Sequence, residues 1–431
     1  MLDIKFIREN PELVQNAAKA KKANVDINHL LEVDKKKSEL HQSVQALQEQ
    51  RNAIVKGITG KPTDEQIAKG KEIKEKLEKE EQSLNVLKDE LDGLLLKIPN
   101  PAKSDVKIGK DESENDVIRT WKEPTKFNFI PKDHLDLGEN LGIIDVERAT
   151  KVSGARFAYL KGDAVLLEFA LVQYAMETLM KEGFTPIIPP TLIKRETMQG
   201  LGYMENGGED DMFSLARDDM FLVGTAEHSL VPMHKDESLD GKKLPLRYVG
   251  FSSAFRREAG SYGKDTKGII RVHQFDKVEM VSYVEAGKDD EENDFLLSLE
   301  EKLFQGLDIP YQVIKMCTGD LGFPAARKYD IEAWMPAQGK YREVTSVSTV
   351  TDFQSRRLNI KYRDTGVPGI IGGGIIPVPP SNKFAYVLNG TAFAIGRTIV
   401  AILENYQQED GSVVVPEVLK KYIGKDLIVS E

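Results

Sequence analysis

Residues 255–279, F-R-R-E-A-G-S-Y-G-K-D-T-K-G-I-I-R-V-H-Q-F-D-K-V-E, carry charge where a strand would carry core. Two runs of strand composition, Arg247 to Glu258 and Ile269 to Tyr283, flank Gly260, Gly263 and Gly268, whose backbone freedom permits a wide turn. The stretch is therefore predicted to be one long β-hairpin. Successive strand residues point to opposite faces, which puts Arg256 and Glu258 together. On the returning strand, Arg271, His273, Phe275, Lys277 and Glu279 share a face. Arginines, carboxylates and an aromatic ring make a poor core and a good ligand floor. Periodicity alone allows a solvated sheet face equally well.

The chain around it has 431 residues, enough for two or three domains. A charged fraction of 30% and a net charge of −10 argue against indiscriminate nucleic-acid binding, while leaving room for local basic patches. The single cysteine, Cys317, forms no internal disulfide and suits a reducing compartment. No apolar run approaches the roughly 20 residues that span a bilayer, and residues 1–11 lack the character of a signal or transit peptide. A cytoplasmic protein with no membrane partner is expected.

Upstream, Leu30, Val33, Lys37, Leu40, Val44, Leu47, Arg51, Ile54 and Ile58 recur at alternating spacings of three and four. After the break G-K-P-T at 60–63, Gly70, Ile73, Leu77, Glu80, Leu84, Leu87, Leu91, Leu94 and Ile98 repeat the pattern. Both are heptad seams, and Pro99 and Pro101 stop the second. Two such helices joined by a short break predict an antiparallel coiled-coil hairpin over about 27–98, each arm roughly 50 Å long. A two-helix hairpin has no third layer to bury it, so it is expected to project and to serve dimerisation or docking.

Residues 102–125, acidic and Pro-containing, are expected to be a linker between an N-terminal domain, 1–101, and a globular domain, 126–431. In the latter, a helix near Val165 to Glu182 precedes F-T-P-I-I-P-P, a strand whose prolines favour an edge or an interface. Strands then follow one another through turns with few βαβ crossovers, so the fold class is α+β with an antiparallel sheet. There is no P-loop signature, and I-I-G-G-G-I-I-P at 370–377 reads as a loop.

Three further stretches hold candidate chemistry. They are G-T-A-E at 224–227, Y-R-E-V-T-S-V-S-T-V-T-D-F-Q-S-R-R at 341–357, and N-G-T-A-F-A-I-G-R-T-I-V-A-I-L-E-N-Y at 389–406. Singly, Thr225 fits a turn, Glu343 a surface carboxylate and Arg397 a snorkelling side chain. Together with the hairpin they resemble the class II aminoacyl-tRNA synthetases, specifically the seryl-tRNA synthetase family, from residue 1 to about 425. F-R-R-E with R-V-H-Q-F-D-K-V-E resembles that class's second motif, G-R-T-I-V-A-I-L-E-N-Y-Q its third, and G-F-T-P-I-I-P-P its first, which lies in a homodimer interface. T-A-E matches the serine-binding loop.

The resemblance implies ATP, L-serine and Mg²⁺ as ligands, with Arg256, Arg397 and Glu343 as catalytic residues. Arg256 corresponds to the arginine on the α-phosphate and the serine carboxylate, where a fixed guanidinium stabilises charge building in the transition state. Arg397 corresponds to the arginine over the adenine, with the Phe275 ring on the other side. Glu258 corresponds to the carboxylate on the adenine amino group, and Arg271 to a second phosphate ligand. Arg257, Val272, Val344 and Thr345 complete the implied ATP site. Glu343 and Ser346 correspond to the Mg²⁺ ligands, an oxygen-only pair as magnesium prefers. Strict alternation would put these two on opposite faces, so a bulge or a strand end between them is required. For serine the resemblance implies Thr225, Ala226, Glu227, Arg256, Glu279, Asn389 and Thr391. A buried carboxylate such as Glu279 that accepts from the substrate hydroxyl would be left unpaired by alanine. The implied reaction forms seryl-adenylate and then charges a serine tRNA with a long variable arm; selenocysteine tRNA stays open as a second acceptor. The histidines lack metal-ligand spacing with Cys317, so zinc is not expected.

Thr349 stands where the family often has Asn, Val347 where Cys is frequent, Thr391 where Ser is common, keeping a hydroxyl, and Phe393 where Leu is common, adding bulk near the expected serine pocket. Two rival readings are a relative that loads a carrier protein, which would lack the long arm, and a non-catalytic paralogue, which would have lost the motif arginines or the metal carboxylate.

Overall fold

The structure is a computed structural model that describes residues 1–58, 60–205, 207–259, 267–364, 369–371, 374–376 and 381–430. The expected hairpin loop around Gly263, 260–266, lies outside the described residues. The chain divides into two compact units, Met1–Pro99 and Asn100–Glu431.

The first unit is helical: α1 (Ile4–Glu9), α2 (Pro11–Ala20), α3 (Ile27–Lys56) and α4 (Asp64–Leu96). Asp26 caps α3 by accepting from the His29 amide. Thr63 and Gln66 form a reciprocal capping box at the start of α4, so the G-K-P-T break ends one helix and nucleates the next. Val44, Leu47, Ile73, Leu77 and Leu84 form one buried cluster with Leu40 and Ile54, which joins the two seams in the antiparallel hairpin the heptads predict.

The second unit is built on an eight-stranded sheet. Its strands are β1 (Asp116–Trp121), β2 (Thr185–Ile187), β3 (Leu246–Phe255), β4 (Gln274–Val284), β5 (Tyr311–Lys315), β6 (Arg327–Met335), β7 (Lys340–Thr351) and β8 (Tyr386–Ala394). They lie in the order β1-β5-β6-β7-β8-β4-β3-β2. All neighbours pair antiparallel except β2 with β3, so the α+β class holds. Helices α5 (Asp163–Lys181), α6 (Asp289–Gly306) and α7 (Ile395–Tyr406) cover one face, sharing a core that includes Leu171, Leu303, Val278, Leu388 and Ile399. On the other face, Val281 and Tyr283 join a second cluster with Leu201, Phe221 and Leu230.

Three expectations change here. Residues 102–125 are not a free linker: β1 closes the sheet edge against β5, Trp121 stacks on Tyr311 with centroids 5.5 Å apart, and Val106 packs on Ile314 and Met316. Acidic composition marked this segment, but its strand pairs with the β5 backbone groups that would otherwise form an open sheet edge. The hairpin strands are also shorter than composition suggested. β3 ends at Phe255 and β4 starts at Gln274, so Arg256, Glu258, Arg271 and His273 sit on the connections, and Glu258 has a left-handed backbone with φ of 54°. The glycine-rich run read as a loop contains a short antiparallel pair, Gly369–Ile371 with Gly374–Ile376.

Candidate functional site

Alternation along β4 sends Val278 and Met280 into the helix-covered core and Phe275, Lys277 and Glu279 to the opposite face, where they line a cavity of about 360 Å³. Two bulges complete its walls. Between β6 and β7 the register slips at Ile331/Glu332, so Val344 is an extra residue on β7, and Glu343 and Ser346 both reach the cavity. Between β4 and β8 the register slips at Val278/Glu279, so Ala392 is extra on β8; Asn389, Thr391 and Ala394 line the cavity while Phe393 turns to the core.

At one end the groups are short, buried and able to bind hydroxyl or ammonium. Lys277 Nζ lies 2.5 Å from Glu279 Oε2 and donates to Thr225 Oγ1 at 3.2 Å. Thr391 Oγ1 donates to Glu279 Oε2 at 3.2 Å, and the buried Asn389 Nδ2 has no partner among the described residues. Glu227, from the T-A-E stretch, is buried beside them. Burial pushes its carboxyl up to about 7, with neighbouring Glu279 adding to the rise and donors from Gln354 and Tyr203 opposing it. His228 accepts from the Gly224 amide through Nδ1 at 3.1 Å. Burial and the charges of Arg256 and Lys277 push its ring down to about 3, so it stays neutral.

The other end is cationic with paired carboxylates. Arg397 Nη1 lies 3.2 Å from Glu343 Oε2 and Nε donates to the Ile270 carbonyl at 3.2 Å. Arg271 is hydrogen-bonded to Glu258. Surrounding protein raises the Glu343 carboxyl, but Arg397, Lys328 and Arg256 outweigh this and hold it down at about 2. Arg256 stands between the two ends: its Nε donates to the Gly224 carbonyl at 3.2 Å, and its guanidinium lies over the Phe275 ring at 5.5 Å. Behind the β7 bulge, Thr345 Oγ1 donates at 2.7 Å to Glu300, a fully buried carboxyl on α6 that burial pushes well above its ordinary range.

Of the expected residues, Thr225, Glu227, Arg256, Glu258, Arg271, Val272, Phe275, Glu279, Glu343, Val344, Thr345, Ser346, Asn389, Thr391 and Arg397 all line the one cavity. Two do not. Arg257 points to Phe213, 5.4 Å from its ring, and Ala226 is packed under β3 against Gly250. The Phe275 ring is faced by the Arg256 guanidinium. Lys277 lines the cavity on the face that alternation gave it, though no role was expected of it, and Lys328, Tyr203 and His228 line it unanticipated. Lys277 was signalled by its place between Phe275 and Glu279; Lys328, on β6, carried no such signal.

Of the departures from the family pattern, Thr391 lines the cavity, whereas Val347, Thr349 and Phe393 do not. Phe393 was expected near a serine pocket, but the β8 bulge turns it toward Tyr174 and Phe304, with centroids 6.1 and 5.7 Å away. Val347 is core, and Thr349 Oγ1 donates to Asp289 at 2.8 Å. Phe393→Leu is therefore expected to cost about 1–2 kcal/mol of stability with the KM of any cavity ligand unchanged. Thermal unfolding beside steady-state kinetics checks this, and a KM effect without a Tm effect would contradict it.

Comparison with known proteins agrees at both units. Residues 1–102 match the family described as Seryl-tRNA synthetase N-terminal domain. Residues 213–406 match the tRNA synthetase class II core domain (G, H, P, S and T). The serine–tRNA ligase of Dictyoglomus thermophilum is 45% identical over 98% of this chain and 98% of that protein. The crystal structure of seryl-tRNA synthetase from Pyrococcus horikoshii complexed with ATP is similar with a TM-score of 0.90 at 42% identity, covering 100% of both chains. The cytoplasmic serine–tRNA ligase from Naegleria fowleri in complex with AMP gives 0.86 at 31% identity, over 100% of this chain and 99% of that one.

Proposed function

The chain belongs to the seryl-tRNA synthetase family, and from that premise we propose that it is a serine–tRNA ligase. It activates L-serine with ATP to seryl-adenylate and pyrophosphate, then passes the seryl group to the 3′ end of a serine tRNA. The observation that carries this reading is a single cavity whose two ends suit the two substrates, with Arg256 reaching both. ATP–pyrophosphate exchange measured with each amino acid in turn tests it. Serine alone should support exchange; exchange driven by another amino acid and not by serine would refute it.

In this reading the serine carboxylate attacks the α-phosphorus, and no side chain need act as nucleophile. Arg256 orients that carboxylate and stabilises the charge that builds on the α-phosphate. Glu279 and Thr391 receive the serine hydroxyl, and Glu227 with Thr225 receives its ammonium. Asn389 Nδ2 is a donor awaiting an acceptor. Phe275 and Arg397 flank the adenine, Glu258 accepts from its amino group, and Arg271 binds phosphate. Val272, Val344 and Thr345 form the pocket wall.

The residues at the β7 bulge fit a magnesium ion. Glu343 is held ionised and shares a face with Ser346, giving oxygen ligands only, and magnesium characteristically completes its shell with phosphate oxygens and water. Glu343 and Ser346 would hold it, and it would neutralise charge on the triphosphate. Glu343→Ala is expected to lower exchange on the order of 10²-fold and to raise the Mg²⁺ concentration for half-maximal rate. A Mg²⁺ titration of exchange checks this, and an unchanged midpoint would remove Glu343 from the metal site.

The α3–α4 hairpin is assigned to the long variable arm of serine tRNA, gripped by shape and by lysine–phosphate contacts rather than base readout. A homodimer through the first motif is supported by the apolar side chain of Ile188 within it, 85% exposed. A cytoplasmic setting belongs to the same reading; among the described residues no helix is long and apolar enough to cross a membrane.

A further inference from the structure

The stretch D-F-Q-S-R-R, 352–357, contributes nothing to the cavity wall, yet it grips the residue that does. Its short helix, Phe353–Leu358, buries Gln354 completely. Gln354 Nε2 donates to Glu227 Oε1 at 3.0 Å and to the Leu201 carbonyl at 3.2 Å. Tyr203 OH reaches both oxygens of the same carboxylate, at 2.8 and 3.0 Å. Arg357 fastens the segment that carries Tyr203, donating to the Gln199 carbonyl at 3.0 Å and to Glu205 at 2.7 Å. Gln354 Oε1 meanwhile is buried with no partner among the described residues. An orphaned buried acceptor is costly, and a leucine would fill a core position without it. The amide is placed for what its nitrogen does.

We propose that Gln354, together with Tyr203, is a positioning residue that keeps the Glu227 carboxylate ionised and aimed as the seat for the ammonium group of the amino-acid substrate. The inference rests on the serine–tRNA ligase reading. Glu227 is buried, and it faces Glu279 and Lys277 on β4 and Tyr203 from the segment after the helix Arg195–Leu201; its neighbour His228 is neutral. Burial and Glu279 favour the neutral acid, which would offer an ammonium group no counter-charge. Donors on the carboxylate favour the charged form; Gln354 supplies one from behind the cavity wall and Tyr203 one from the wall itself. Glu227 titrates near neutral pH, so the ionised form gains as pH rises and amino-acid binding strengthens with it. Removing a donor raises the carboxyl further, so the acid limb of the profile moves up.

The test measures serine KM and kcat by ATP–pyrophosphate exchange at pH 6.5 and 8.5 for the full-length protein, Gln354→Met and Tyr203→Phe. Each variant is expected to raise serine KM about tenfold at pH 6.5 and no more than about threefold at pH 8.5. That corresponds to an acid limb moved up by about one pH unit. The effect should fall on KM rather than kcat, because the lost interaction is one of substrate binding. A merely structural glutamine would lower activity evenly across pH, and that result, or a loss in kcat with serine KM unmoved, overturns the proposal. Tyr203→Phe keeps the ring and reads out the same pH-dependent KM shift should Gln354→Met fold poorly. Absence of serine-dependent exchange in the unmodified protein would instead refute the ligase reading on which the inference stands.

Discussion

Arg256→Ala is expected to abolish serine-dependent ATP–pyrophosphate exchange, with a loss on the order of 10³-fold or more in kcat/KM. Arg256 stands just beyond the end of β3, is steadied by the Gly224 carbonyl and lies over Phe275, so its charge is already in place before substrate arrives. A cation fixed where phosphoryl charge develops acts most strongly in the transition state, and losing one such donor commonly costs 10²–10³-fold or more. The serine carboxylate would lose its partner in the same step. Arg256→Lys should also be badly impaired, because a point charge does not reproduce a planar fork of donors. Exchange kinetics on variants with unchanged thermal unfolding make the measurement. Near-normal exchange by Arg256→Ala would remove this arginine from the reaction.

Deleting residues 30–98 is expected to leave serine-dependent exchange within about threefold of normal and to reduce tRNA charging by on the order of 10³-fold or more. The deleted stretch begins at the first turn of α3 and finishes just past the end of α4, and the two helices run antiparallel, so the cut ends belong to one end of the hairpin. The cavity draws every one of its wall residues from the second unit. Removing the phosphate contacts of an RNA-binding arm weakens the complex steeply, and more so as salt rises. Charging assays with serine tRNA, set beside exchange on the same preparation, decide it. Loss of exchange as well would show that the units do not separate function in this way, whereas retained charging would free the arm from its tRNA role.

The helical hairpin was legible because coiled-coil helices are specified by local spacing: Leu40, Val44, Leu47 and Ile54 meet Ile73, Leu77 and Leu84 as the alternation requires. The face of β4 was legible for the same reason, since Phe275, Lys277 and Glu279 alternate without interruption. Alternation puts Lys277 on that face, but its bridge between Glu279 and Thr225 needs a loop some fifty positions upstream, which no spacing announces. Parity required a bulge or a strand end between Glu343 and Ser346; that it is a bulge, and that it falls at Val344, came only from the pairing with β6.

The sequence by itself determined the two-unit plan, the antiparallel sheet class, the heptad arm and most of the residues that meet in the cavity. Only the tertiary structure decided where alternation fails. The extra residues at Val344 and Ala392 arise from how β7 pairs with β6 and β8 with β4, and each reverses the facing of every residue beyond it. That reversal sends Phe393 to the core instead of the pocket and brings Ser346 round to Glu343. Ladder register is a contact between segments far apart in the chain, so no local pattern carries it. The same holds for Lys328 and for the Gln354–Glu227 hydrogen bond, which joins residues 127 positions apart. Spacing sets what a segment presents; the neighbouring strand sets where it points.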